Sequence, residues 1–213
     1  MPSPEVFAAF AVASLALLVV PGPSVLYIVT RSMDQGRAAG LVSVLGIHTG
    51  SIVHVAAAAL GLSAVLASSA LTYGIVKYVG AAYLIWLGIR ALRGRDEGRP
   101  DVDGRGHSLR RIYAQGVVVN VLNPKTALFF LAFLPQFVDV SKGSVPLQVG
   151  LLGLTFILLG FISDGSYALV SARGSRRLAT RRRSGVVRRW LPGLTLISLG
   201  VVSALTGRRP ALT

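Results

Sequence analysis

The stretch FAAFAVASLALLVVPGPSVLYIV, Phe7–Val29, decides how the chain is read. It stays apolar for longer than the roughly 20 residues a helix needs to cross hydrocarbon, yet Pro21-Gly22-Pro23 interrupts it. A breaking triplet inside lipid-compatible sequence predicts a spanning helix bent within the membrane. The segment has no basic n-region, carries Glu5, and runs through the prolines without a short cleavable core. It is expected to be retained as a helix.

Five further apolar runs follow, at Gly40–Leu66, Tyr73–Leu92, Ile112–Leu134, Leu147–Ala172 and Val186–Leu205. Six spans of roughly 20 residues would use about 120 positions and leave short connections, which suits a polytopic bundle. The composition of the 213 residues agrees: 53% are apolar, 14% are charged, and mean hydropathy is +0.65. Soluble domains carry about 25% charge, so ordinary soluble classes are excluded. The absence of cysteine excludes disulfide scaffolding, thiolate metal sites and thiol catalysis. The fold class expected is an all-α membrane protein of six transmembrane helices.

The net charge of +14 comes from 22 basic residues against 8 acidic ones. On a soluble chain that excess would suggest nucleic acid. Here the arginines lie between apolar segments and read as orientation signals, with the bilayer and not nucleic acid as partner. Arg31 and Arg37 fall in the first connection, seven residues from Arg90 to Arg111 in the third, and eight from Arg173 to Arg189 in the fifth. The opposite side holds Lys77, Lys142, Arg208 and Arg209. Seventeen against four predicts those three connections in the cytoplasm and both termini outside. The Arg173–Arg189 run reads as a topology determinant touching anionic headgroups.

The third connection, rich in Gly, Arg and Asp, predicts a cytoplasmic linker over residues 93–111 between two three-helix halves, 1–92 and 112–213. Halves with an odd number of spans would be inverted repeats. Pro21-Gly22-Pro23-Ser24 breaks the first helix of one half, and Asn123-Pro124-Lys125-Thr126 breaks the first helix of the other. Pro23 lies about seven residues, roughly 10 Å, from the cytoplasmic end of its span. Pro124 lies about twelve residues in, or roughly 12 Å from the outer side of a core about 30 Å thick. The two breaks are therefore expected as near mirror images about the midplane. Paired breaks of this kind point to a substrate site, because a proline frees a carbonyl that lipid cannot satisfy.

Asp164 is the one carboxylate well inside a span, a placement that points to function. Gly153, Ile157, Gly160, Asp164 and Tyr167 follow the 3–4 spacing of one face, which turns the acid toward the bundle. It could take up and release a proton, or form a static ion pair with Lys125, whose own direction the broken helix leaves open. Asn120 and Asn123 share a face and present amides inward. On the second helix Gly46, Gly50, His54, Ala57 and Gly61 form another stripe. His54 therefore faces protein, as a proton relay or as a hydrogen-bond partner of a neighbouring helix. His48 falls off that stripe and reads as structural. Three scattered histidines and no acid cluster argue against a metal.

Taken in order, several motifs resemble the lysine exporter (LysE/RhtB-type) family over nearly the whole chain. They are Pro21-Gly22-Pro23, Gly46-Ile47-His48-Thr49-Gly50, Gly80 to Gly88, Asn123-Pro124-Lys125 with Pro135-Gln136-Phe137, and Asp164 with Tyr167. The resemblance implies six helices in two inverted repeats. It implies export of amino acids or close derivatives across a bacterial inner membrane, proton antiport, no organic cofactor and no enzymatic activity. Carried over, Pro21, Gly22 and Pro23 form the break in the first helix, Asn123, Pro124 and Lys125 its counterpart, and Asp164 the embedded acid. Together with the residues read from the helix faces, the expected substrate site is Pro21, Gly22, Pro23, Ser24, Gly46, Gly50, Asn120, Asn123, Pro124, Lys125, Asp164 and Tyr167, with Asp164 and His54 as proton-coupling candidates. Many members have an acidic residue after the second glycine of the second-helix motif, where this chain has Ser51. That departure implies a neutral zwitterion such as threonine, homoserine or leucine in place of a dicationic amino acid. Glycine-lined helices would also suit a homodimer.

Three other classes are weighed beside the exporter. A membrane-embedded enzyme would need a nucleophile and base close together, and no Ser-His-Asp, His-Glu-x-x-His or paired-Asp arrangement occurs in the sequence. A non-transporting scaffold subunit predicts no flux, and a passive channel predicts flux that neither saturates nor couples to a gradient.

Overall fold

The structure is a computed structural model that describes residues 2–68 and 108–173, with isolated positions at 78, 79, 82, 85, 86, 89, 92, 93, 194, 197 and 201. The described residues are helical and contain no strand. Helix α1, Pro4–Val19, opens with proline in its first turn, where a missing N–H costs nothing, and ends at the Pro-Gly-Pro triplet. Helix α2, Pro23–Ser68, contains one non-helical residue, Gly36, with φ 83° and ψ −172°. Only glycine adopts that backbone freely. The arms on either side of Gly36 fold back on each other. Gly40 packs on Ser32 across the turn, and Ser24 and Ser51, one from each arm, both bond Asn120.

Helix α3, Leu109–Val121, is capped by Ser108. After Leu122 and Asn123 the chain resumes as α4, Pro124–Leu128, and unwinds through a π-helical turn, Phe129–Phe133, and a 3₁₀ turn, Leu134–Phe137. The axis bends by 47° between Leu109–Val121 and Pro124–Phe137. Asp139 caps a short 3₁₀ turn, and α5 then runs over Val145–Arg173. Pro23–Gly61 and α5 are each long and apolar enough to cross a membrane, and the bent pair makes a third candidate.

These segments share one vertical order. One apolar core gathers Phe10 and Leu17 of α1, Phe129, Phe130 and Phe133 beyond α4, and Val149, Leu152 and Phe156 of α5. A second gathers Tyr27, Ile28, Ala39, Val44 and Ile47 of the two α2 arms with Ile112 of α3 and Ala168 of α5. Between the cores, α2, α3, α4 with its Asn123 cap, and α5 contribute buried polar residues: Ser24, His48, Ser51, Asn120, Asn123, Lys125, Thr126 and Asp164. The result is a polar layer at mid-height of an apolar bundle. Elsewhere, hydroxyls such as Ser43 and Thr155 bond the carbonyl one turn back, which satisfies them without water.

The expected first span is two helices, and the helix continues to the residue before Gly36, past the predicted end at Val29. Arg31, read from the sequence as a loop charge, is 1% exposed inside α2. Its Nη2 donates to Gln115 Oε1 at 2.9 Å, and its guanidinium lies 5.5 Å from the Tyr27 ring centre. A polar acceptor and an aromatic face together make that burial tolerable. The expected third and sixth spans, the 93–111 linker and the Arg173–Arg189 run lie almost wholly outside the described residues.

Candidate functional site

A proline deprives the carbonyl four residues earlier of its helical donor. Pro21, Pro23 and Pro124 thus take the helical donor from the carbonyls of Leu17, Val19 and Asn120. Val20 N–H still reaches Leu17 O at 3.3 Å and Asn123 N–H reaches Asn120 O at 3.0 Å, and a side chain engages each of the three as well. Lys125 Nζ donates to Leu17 O at 2.7 Å and to Val20 O at 2.6 Å. Tyr167 OH donates to Val19 O at 2.7 Å. His54 Nε2 lies 2.9 Å from Asn120 O. A carbonyl can only accept, so Nε2 carries the proton there. Protein donors therefore occupy these carbonyls.

The two breaks meet directly. Lys125 comes from the second break and reaches the C-terminal end of α1, where the helix dipole leaves partial negative charge. Gly22 provides the room, since a Cβ there would stand 3.2 Å from Lys125 Cδ. Asn123 caps α4 by accepting from Lys125 N at 3.0 Å, and its amide donates to Ser24 Oγ at 2.8 Å. Ser24 donates onward to Asn120 Oδ1 at 3.0 Å, which also accepts from Thr126 at 3.2 Å. Asn120 Nδ2 donates to Ser51 Oγ at 3.0 Å. A single directed chain of hydrogen bonds therefore links both breaks to both arms of α2.

This network borders a cavity of about 30 Å³, lined also by Gly22, Val25, Ile47, Phe156, His48 and Asp164. That is room for a water or two. His48 Nε2 stands 3.2 Å from Asp164 Oδ2, with both side chains almost fully buried. The distance suits an ion pair, but the atoms are not aligned as a hydrogen bond. Both ring nitrogens of His48 and Asp164 Oδ1 have no hydrogen-bond partner among the described residues. Gly160 faces the His48 imidazole, and a Cβ there would run into the ring.

The predicted residues thus divide into groups. Gly22, Ser24, Asn120, Asn123, Lys125 and Asp164 line the cavity. Pro21, Pro23 and Pro124 shape the breaks without lining it. Tyr167 and His54 sit at its margins on freed carbonyls. Gly46 and Gly50 instead let α2 approach α3: a Cβ on Gly46 would strike Tyr113 O, and one on Gly50 would lie 2.8 Å from Asn120 Cβ. Sequence reasoning missed His48. A signal existed, because His48 follows Gly46 by two residues and so points to a different side of the helix, toward α5 instead of α3.

The LysE type translocator family matches residues 15–207 of the chain. A homoserine/homoserine lactone efflux protein of Salmonella typhimurium is 30% identical over 165 residues, 78% of this chain and 80% of its own. An uncharacterized membrane protein of Vibrio cholerae is 28% identical over 81% of this chain and 83% of its own. The Bacillus subtilis membrane protein YrhP is 28% identical over 89% and 94%. No solved structure matches the chain. With the family matched over most of its length and its two broken helices joined around a buried acid, the chain belongs to the LysE type translocators, which are membrane transporters and not enzymes.

Proposed function

We propose that this protein exports amino acids or close derivatives across a bacterial inner membrane by proton antiport. The observation that carries the reading is the polar layer at mid-height of the bundle, where Asp164 lines a cavity bounded by both helix breaks and its Oδ1 has no hydrogen-bond partner among the described residues. An intramembrane acid in such a place is a functional group by default. The architecture is six helices in two inverted three-helix repeats, 1–92 and 112–213, joined by a cytoplasmic linker, with both termini outside. The excess of basic residues in the odd-numbered connections supports that orientation.

The layer also suggests the solute. Among the described residues lining the cavity, Lys125 supplies a basic group and Asp164 an acidic one. One charge of each sign suits a zwitterion, whereas a dicationic amino acid would need a second acid. Ser51 instead brings a neutral hydroxyl, bonded to Asn120. The Salmonella relatives, named for homoserine and homoserine lactone efflux, support a small neutral amino acid or its derivative.

Asp164 binds either a proton or the solute's ammonium, and that exclusion couples the two fluxes. Rocking of one repeat against the other exposes the layer to each side in turn. The test is efflux from proteoliposomes loaded with a panel of amino acids under an imposed pH gradient. Wild-type protein gives saturable, gradient-driven efflux of a small neutral solute, and Asp164→Asn abolishes the response to the gradient. Full gradient-driven efflux by Asp164→Asn would remove the acid from the mechanism.

A further inference from the structure

We propose that the coupling proton is held by His48 and Asp164 together, with Gly160 as the residue that positions the imidazole. This rests on the antiport reading above and adds to it a second titratable group. The imidazole is the side chain that gains and loses a proton near neutral pH. His48 is 2% exposed, lies 3.2 Å from the acid, and borders the same cavity. A histidine kept for structure alone would be expected to satisfy its ring nitrogens, because an unmet buried polar atom costs folding free energy. Here neither nitrogen has a hydrogen-bond partner among the described residues, and neither does Asp164 Oδ1. Three orphaned polar atoms beside a water-sized void fit a site that loads and unloads a proton through water.

The surroundings fit that role. Lys125, from α4, is the one other ionisable side chain among the described residues lining the cavity, and its ammonium is engaged by the α1 carbonyls. The Phe161 ring lies 4.5 Å from the imidazole on the α5 side. Gly160 leaves the ring its seat.

The proton balance is simple. One proton enters from the outer side, rests on Nε2 or on the carboxylate, and leaves to the cytoplasm. A zwitterion with no net charge leaves the cell in exchange. Each cycle carries one positive charge inward, so a membrane potential negative inside drives export as well as a pH gradient does.

The experiment uses the full chain in proteoliposomes, comparing pH-gradient-driven efflux with solute–solute exchange. In His48→Gln the ratio of the first to the second collapses, whatever the loss in absolute rate. A His48→Gln variant with the wild-type ratio, in a wild type that responds to the gradient, overturns the histidine's role and leaves the antiport reading standing. A wild type that exchanges solute with no response to either gradient or potential overturns both. Gly160→Ala, which keeps both titratable groups while displacing the ring, covers a His48→Gln variant that fails to fold. Its efflux–pH profile is expected to move by about one unit relative to wild type. Superimposable profiles would overturn the assignment.

Discussion

The two helix breaks do the same thing to the backbone and opposite things to the space around it. Pro21-Gly22-Pro23 ends α1 with carbonyls that accept from remote side chains, and the one side-chain donor beside it is the Ser24 hydroxyl. Asn123-Pro124-Lys125 brings a cap, an amide and an ammonium, and spends all three on restoring hydrogen bonds, two of them across the interface. The first break is an acceptor and the second a donor. Neither would be tolerable alone in an apolar interior, where an unmet backbone group costs on the order of 1–3 kcal/mol. The junction is therefore held by complementarity, and a proline motif in such a protein is best understood together with whatever fills it.

The largest expected effect comes from removing the donor. Lys125→Met keeps the length of the side chain but leaves the Leu17 and Val20 carbonyls without their ammonium. It is expected to abolish efflux and to lower stability by about 3 kcal/mol, read as a drop in thermal midpoint in detergent. Lys125→Arg is expected to fail as well, because Gly22 makes room for a slim stem and not for a planar guanidinium. Wild-type stability in Lys125→Met would dissolve the contrast between the two breaks.

An intermediate effect isolates one freed carbonyl. Pro124→Ala adds an N–H next to the break and lets the helix continue toward Asn120 O, which already accepts from Asn123 N–H at 3.0 Å, so His54 should matter less in that background. His54→Phe alone is expected to cost about 1 kcal/mol, and less when combined with Pro124→Ala, in a double-mutant cycle on thermal stability. Additive losses would mean that His54 does something other than answer the proline. The smallest effect is expected from Tyr167→Phe, which removes one bond to Val19 O at the margin of the layer. About 0.6 kcal/mol is typical of such interhelical bonds in membranes, and efflux should persist.

Much of this was legible in the sequence because lipid narrows the options. Apolar length located the described helices, and the prolines located both interruptions. The 3–4 spacing turned Asp164 and His54 toward protein, as observed. The remainder depended on partners remote in the chain. The direction of Lys125 is set by a missing side chain at Gly22, about a hundred residues away, and no periodicity within α4 encodes it. His48 was misread because a single stripe was assigned to the second helix, whereas that arm is wedged between α3 and α5 and buries two faces. Arg31 was placed in a loop because an arginine ends an apolar run, and only Gln115 and the Tyr27 ring explain its burial.

Gly36 has a mechanical consequence. It is the sole residue between two helical arms, and its backbone is one that side-chain-bearing residues rarely adopt. A single-residue elbow has no slack, so the arms cannot slide past each other or drift apart by uncoiling a tether. The short elbow thus keeps Ser24 and Ser51 close enough to share the one Asn120 amide that both of them bond.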